Sequence, residues 1–366
     1  MIYLDNGATS MHKPAAVRLA MADALERCAN PGRGGHRAAM AAADVVYACR
    51  KEAAALFDCG EDRVVFTSNC THGLNIAIFT LFHPGDRVVV SGFEHNAVTR
   101  PLRALGARVT VAGRKLFSWE DTLESFRDAL DKGVEGAVFT HVSNVFGYIL
   151  PVERMAAMCR ERGIPFVIDA AQSAGMLEVK LGALGADFIA MPGHKGLLGP
   201  QGTGILLCGR MPEPRLFGGT GSVSVQQEMP DFLPDRVEAG TLNVPGIAGL
   251  REGIRYVRRT GVDKIRKRER KEAAIAAKGL EKLGCRVFAG AHQSGTVSFV
   301  PPVDCELLGE RLGKAGIAVR AGLHCAPLAH ESAGTLETGT VRVSYGHDAS
   351  PMQTGRLLEA VRKGIF

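Results

Sequence analysis

A doubly wound α/β fold is what the sequence predicts, and three observations predict it. Seven short apolar runs rich in valine and isoleucine lie between residues 63 and 208, and helical stretches separate most of them. Breaks bearing glycine, proline and asparagine punctuate the series. The composition then shifts after residue 246 to a long basic stretch followed by mixed strand and helix signals. Strand–helix alternation calls for a mostly parallel seven-stranded sheet with helices on both faces. Such sheets hold ligands at the carboxyl ends of their strands.

In chain order, residues 2–5 read as a short strand and 6–10 as a turn. Pro14, a good first-turn residue, opens a helix over 15–28, and 38–56 forms a longer helix after the glycine-rich loop 30–37. Strands are predicted at 63–67, 87–91, 109–112, 136–140, 165–169 and 188–191, with helices at 73–81, 96–105, 121–131 and 152–161. The seventh strand, 204–208, lacks a preceding helix and is free to run antiparallel. One long basic helix is expected from 247 to about 283, then strands at 295–300 and 340–344 and helices near 306–315 and 353–363. The chain thus divides into a large unit, 15–245, and a smaller α+β unit made of 1–14 and 246–366. Asp263 and Glu269 interrupt the basic stretch, which reads as a solvated helix face.

Bulk properties exclude several classes. Hydrophobic content of 46% with 22% charged residues is ordinary globular composition. No apolar stretch reaches the ~20 residues of a membrane-spanning helix, and the first residues carry no basic-then-apolar secretory pattern. Nine scattered cysteines, with no CxxC pair, argue against a disulfide framework or a metal site and for the cytoplasm. A net charge of +6 is mild and does not call for nucleic acid.

Several predicted strand ends carry chemistry. Gly193-His194-Lys195 follows the run 188–191 and precedes a glycine-rich loop, where an amine nucleophile that forms an imine is placed. An isolated His-Lys pair is more often a surface feature, so this reading needs partners. Asp169 ends another apolar run, either as a helix cap or as the partner of a cationic ring nitrogen. His95 follows a third strand, as a surface histidine or as a ring stacked on a planar group. Ser68 to Gly73 join a fourth strand to a helix start, a setting that favours an anion but that an ordinary N-cap shares.

These residues fall into an ordered set: Leu4-Asp-Asn-Gly-Ala-Thr, Phe66-Thr-Ser-Asn-Cys-Thr-His-Gly, Glu94-His-Asn, His141-Val-Ser-Asn, Asp169-Ala-Ala-Gln, Gly193-His-Lys, Glu238-Ala-Gly-Thr and Arg320-Ala-Gly-Leu-His-Cys325. With them the whole chain resembles the class V aminotransferases, pyridoxal phosphate enzymes of fold type I, and within them the cysteine desulfurase and selenocysteine lyase branch. The resemblance implies that Lys195 holds pyridoxal phosphate as an imine and moves the substrate's α-proton. It implies that Asp169 pairs with the pyridine nitrogen, Gln172 with the ring oxygen, and that His95 stacks on the ring. Cys70 (through its backbone), Thr71 and His194 would hold the phosphate. Thr241 would reach the cofactor of a second subunit, implying a homodimer. Asn144 and Arg342 would bind the amino acid's carboxylate, with Arg320 nearby.

Cys325 is the discriminating residue. Its loop bears glycine and proline, with Arg320 and His324 close in sequence, and a cationic, partly exposed setting favours thiolate. In desulfurases such a thiolate takes sulfur from cysteine, leaving alanine and an enzyme persulfide, for delivery to an acceptor protein. The alternatives in the same scaffold are a selenocysteine lyase, another carbon–sulfur lyase, or an aminotransferase. One position departs from the family: a hydroxyl residue commonly stands two before the His-Lys pair, and here it is Pro192. Thr220 or Ser222 are the expected compensators at the phosphate.

Overall fold

The computed structural model describes residues 1–32 and 34–365. Its strands are β1 (Ile2–Tyr3), β2 (Val64–Thr67), β3 (Arg87–Ser91), β4 (Arg108–Ala112), β5 (Gly136–Thr140), β6 (Phe166–Asp169) and β7 (Phe188–Pro192). They continue with β8 (Gly204–Cys208), β9 (Arg286–Phe288), β10 (Thr296–Val300), β11 (Ile317–Ala318), β12 (Arg320–Gly322) and β13 (Thr340–Ser344).

Seven strands form the central sheet in the order β2-β8-β7-β6-β5-β3-β4. Only β8 runs against its neighbours, antiparallel to both β2 and β7, because the loop between β7 and β8 holds no crossover helix. Strands β5, β6 and β7 are buried throughout, and their side chains alternate between two cores. Phe139, Ile168 and Ile189 pack on one face, Val138, Val167 and Ala190 on the other. Helices cover both faces, which is why these runs are continuously apolar rather than alternating.

A second, antiparallel sheet has the order β12-β13-β10-β9. The N-terminal β1 joins this side of the molecule by pairing in parallel with β11. The expected single basic helix is instead two, Val244–Thr260 and Val262–Lys282. Gly261 breaks it at φ +86°, a conformation open to glycine. The break lets each half serve a different core. Ile247, Leu250 and Ile254 pack with the central sheet, whereas Ala273, Ala276, Ala277 and Leu280 pack on the smaller one. Within the second half, Lys264, Lys267 and Lys271 are exposed, as a solvated face requires, but Glu269 is buried. The short helix Pro327–Ala333, which follows Cys325, gave too little periodicity to be read from the sequence.

One buried ion pair ties the loop before the helix Val244–Thr260 to the sheet. Arg50 donates from both terminal nitrogens to the Glu238 carboxylate at 2.9 Å, and the Phe66 amide donates to the same carboxylate at 2.6 Å. Removing one partner leaves the other charge buried and alone. Glu238→Ala is therefore expected to lower the unfolding free energy by about 3–5 kcal/mol. Replacing the exposed Lys282 should change it by no more than about 0.5 kcal/mol. Denaturant titration of the two variants checks this.

Candidate active site

The carboxyl ends of β2, β3, β5, β6 and β7 converge on one cavity of about 520 Å³, lined among others by Cys70, Thr71, His95, Asn144, Asp169, Gln172, Pro192, His194 and Lys195. The sequence placed these residues at separate strand ends. Parallel packing is what brings them together, since every parallel strand delivers its carboxyl end to the same edge of the sheet.

After β2, Asn69 caps the helix Cys70–Leu81 by accepting from the His72 amide. That leaves the first-turn amides of Cys70 and Thr71, with the helix dipole behind them, for an anion. After β3, the His95 ring accepts from the Ala97 amide through Nδ1 at 2.9 Å. Its proton therefore sits on Nε2, and burial lowers its pKa and keeps it neutral. At the end of β6, Asp169 is buried, and its Oδ1 accepts from the Ala171 amide at 2.8 Å and from the Cys70 thiol at 3.4 Å. Oδ2 has no hydrogen-bond partner among the described residues and remains for a ligand.

Lys195 follows β7 on the loop that returns to β8. Its amine makes no ion pair or hydrogen bond among the described residues, and its pKa is lowered, first by burial and then by the charge of Arg342. Such an amine loses its proton more readily than an ordinary lysine. His194 is neutral for the same reason, its pKa pushed down to about 4 by burial, and its Nδ1 lies 3.0 Å from the Thr9 hydroxyl. Gln172 donates to the Gly7 carbonyl at 2.9 Å, which fixes the N-terminal segment over the same cavity.

Asn144 joins this cavity to the Cys325 loop. Its side-chain amide donates to the His324 carbonyl at 2.8 Å, and its own carbonyl accepts from Arg342 Nη1 at 2.9 Å. The Asn96 amide, next to His95, donates to the Cys325 carbonyl at 2.8 Å. His324 and Cys325 both adopt left-handed backbone, φ +51° and +58°, which holds the exposed Cys325 thiol at a sharp turn. Arg320 Nη2 lies 3.8 Å from that sulfur. His324 does not add a second cation, contrary to the sequence expectation. It is buried, contacts Thr340 through Nε2, and burial together with Arg342 pushes its pKa down to about 2.

Arg342, expected to meet a carboxylate, already meets one. Its Nη2 lies 2.6 Å from Asp5 Oδ1, while its Nε is buried with no partner. In the sequence Asp5 ends a predicted strand and stands in the motif Leu4-Asp-Asn-Gly-Ala-Thr, with no role of its own. Glu94 was missed as well: it is buried, accepts from the amide of Thr140 and from Ser91, and burial raises its pKa to about 8. Its apolar-run neighbourhood gave no signal of a buried carboxyl. Thr241 lies away from Lys195, in a separate open cavity with Arg50, Glu238 and Asp235. Thr220 and Ser222 line that second cavity too, so within one chain they do not supply the hydroxyl that Pro192 lacks.

Comparisons with known proteins identify the family. The sequence matches the class V aminotransferase family over residues 2–355. A probable cysteine desulfurase of Pyrococcus abyssi is 35% identical, covering 94% of this chain and 89% of the relative. Another, from Methanothermobacter thermautotrophicus, is 35% identical over 98% of this chain and 94% of its own length. Among solved structures, the apo structure of a cysteine desulfurase from Thermococcus onnurineus superposes with a TM-score of 0.90 at 32% identity, covering 100% of this chain and 94% of that one. Matched to the family over residues 2–355 and to relatives over nearly its whole length, the chain belongs to the class V aminotransferases.

Proposed function

We propose that the protein is a pyridoxal phosphate-dependent cysteine desulfurase, a cytoplasmic homodimer that converts L-cysteine to L-alanine with a persulfide on Cys325. The observation that carries this reading is the tie between Cys325 and the Lys195 cavity: the Asn96 amide and the Asn144 side chain hold the loop main chain at the cavity rim, and the thiol is left exposed beside Arg320.

The residues present fit the cofactor. Asp169 has an uncommitted carboxylate oxygen, Lys195 an unpaired amine, and the helix Cys70–Leu81 two free first-turn amides. When bound, pyridoxal phosphate supplies an electron sink that stabilises negative charge at the substrate's α-carbon. Lys195, whose burial lowers its pKa and eases loss of its proton, takes the α-proton. His95, neutral with its proton on Nε2, supports the ring face without adding charge. Arg342, with Asn144, receives the substrate carboxylate through its partnerless Nε edge. The Cys325 thiolate then attacks the substrate sulfur. A sulfur–sulfur bond forms, the carbon–sulfur bond breaks, its electron pair stays with carbon, and carbon takes a proton to give alanine.

Thr241, Thr220 and Ser222 belong in this reading to the neighbouring subunit's phosphate site, which is why their cavity is open in a single chain. The exposed loop around Cys325 suits delivery of sulfur to an acceptor protein. The free state of all nine cysteines suits a reducing compartment.

Cys325→Ser should reduce alanine formation from L-cysteine by at least about a hundredfold while leaving the cofactor absorbance intact. Retention of full turnover would sink the persulfide route. Pro192 removes a phosphate contact, so Pro192→Thr should bind pyridoxal phosphate about tenfold more tightly, the worth of one charge-assisted hydrogen bond. Dialysis followed by absorbance of the retained cofactor reads it out.

A further inference from the structure

Behind Lys195 lies another chamber, lined by Asn6, Gln172, Lys195, Glu269, Ser294 and His347 among others. Glu269 enters it from the otherwise basic helix Val262–Lys282. The residue is more than nine-tenths buried, and its carboxyl makes no hydrogen bond or ion pair among the described residues. Room is kept for it: a Cβ on Gly295 would come within 2.5 Å of Glu269 Cβ and 3.0 Å of its Oε2.

The chamber is rich in acceptors. One side-chain N–H of each of Asn6, Gln172 and His347 is committed to the carbonyl of Ser344, Gly7 and His12 respectively. The amide oxygens of Asn6 and Gln172 are uncommitted, as is the Glu269 carboxylate. The cations of the same helix do not help, because Lys267, Arg268, Arg270 and Lys271 face outward and Arg268 is bonded to the His347 carbonyl. A desolvated carboxylate with no donor bonded to it is stabilised by a cation. One carboxylate is matched by one positive charge, and among the described residues no group of three or more His, Cys, Asp or Glu is placed to hold a metal ion. That composition disfavours a divalent ion, which commonly takes several carboxylates.

We propose that Glu269 and the acceptor-lined chamber behind Lys195 form a binding site for one small monovalent cation. The chamber shares Gln172 and Lys195 with the candidate active site, and its test reads cation binding rather than turnover, so the two readings fail separately. Burial, aided by the charge of Asp348, raises the Glu269 pKa to about 8. The carboxyl is therefore protonated and unreceptive at pH 6, and ionised and receptive at pH 9. Folding stability contributed by this group falls as pH rises from its unfolded value toward 8, because the unfolded chain gives up the proton first. The other ionisable groups on the elements packed around it are Asp348 and its partner His12 at 2.7 Å, His347, Tyr345 and Lys195, with Arg266, Arg268, Arg270 and Glu272 on its own helix.

The test is the thermal midpoint of the cofactor-loaded protein at pH 9 and pH 6, in the chlorides of potassium, sodium, ammonium and methylammonium. Tetramethylammonium chloride at the same ionic strength serves as the oversized reference. At least one small cation should raise the pH 9 midpoint saturably, by about 2–4 °C at tenfold over its dissociation constant, and should have little effect at pH 6. Which salt acts distinguishes an inorganic ion from an alkylammonium. Glu269→Gln and Glu269→Met should both fold and both lose the response. Equal midpoints in all salts at pH 9, or a response that survives in the variants, would overturn the proposal and leave a protonated carboxylic acid as the only occupant.

Discussion

Three segments of the chain meet at Asn144, and the site depends on that meeting. The residue follows β5 of the central sheet. Its carbonyl accepts from Arg342 of the smaller sheet, and its side chain holds the His324 carbonyl in the Cys325 loop. One buried residue thereby sets the distance between the amine-bearing cavity and the thiol. Its Oδ1 remains buried without a partner, an unpaired acceptor that costs free energy until a ligand donor reaches it. Asn144 couples construction of the site to readiness for substrate.

Charge is arranged around this joint with economy. Arg342 is fully buried, and Asp5 is the group that keeps its charge from being isolated. Burial keeps His194, His324 and His95 neutral, so the histidines add no positive charge to that of Arg342, Arg320, Lys13 and Arg100. Two of these cations have specific partners: Arg342 the Asp5 carboxylate, Arg320 the Cys325 sulfur. The left-handed turn at His324 and Cys325 places that sulfur, and such backbone strain is worth keeping where the surroundings over-determine it.

Much of this was legible in the chain because strand ends in a parallel sheet cluster by geometry alone. The runs ending near Thr67, Ser91, Asp169 and Met191 were long enough and apolar enough to read, and once they are made parallel their successors, Cys70, His95, Asp169 and Lys195, must share an edge. The antiparallel β8 followed from the missing crossover helix. What failed did so for physical reasons. The expected single helix over 247 to about 283 spans Gly261, and only the presence of two cores explains why it breaks there. His324 looked cationic because sequence carries no measure of burial. Asp5, Glu94 and Glu269 are carboxylates whose roles depend on contacts far along the chain, and local pattern cannot show those.

The account rests on Cys325 receiving sulfur, and one measurement tests that most directly. The cofactor-loaded protein is mixed with L-cysteine, alkylated at once, digested and mapped by mass spectrometry. The account predicts one added sulfur atom on the peptide containing Cys325 and none on the other eight cysteines. Alanine formed without sulfur on Cys325, or sulfur carried by a different cysteine, would contradict it.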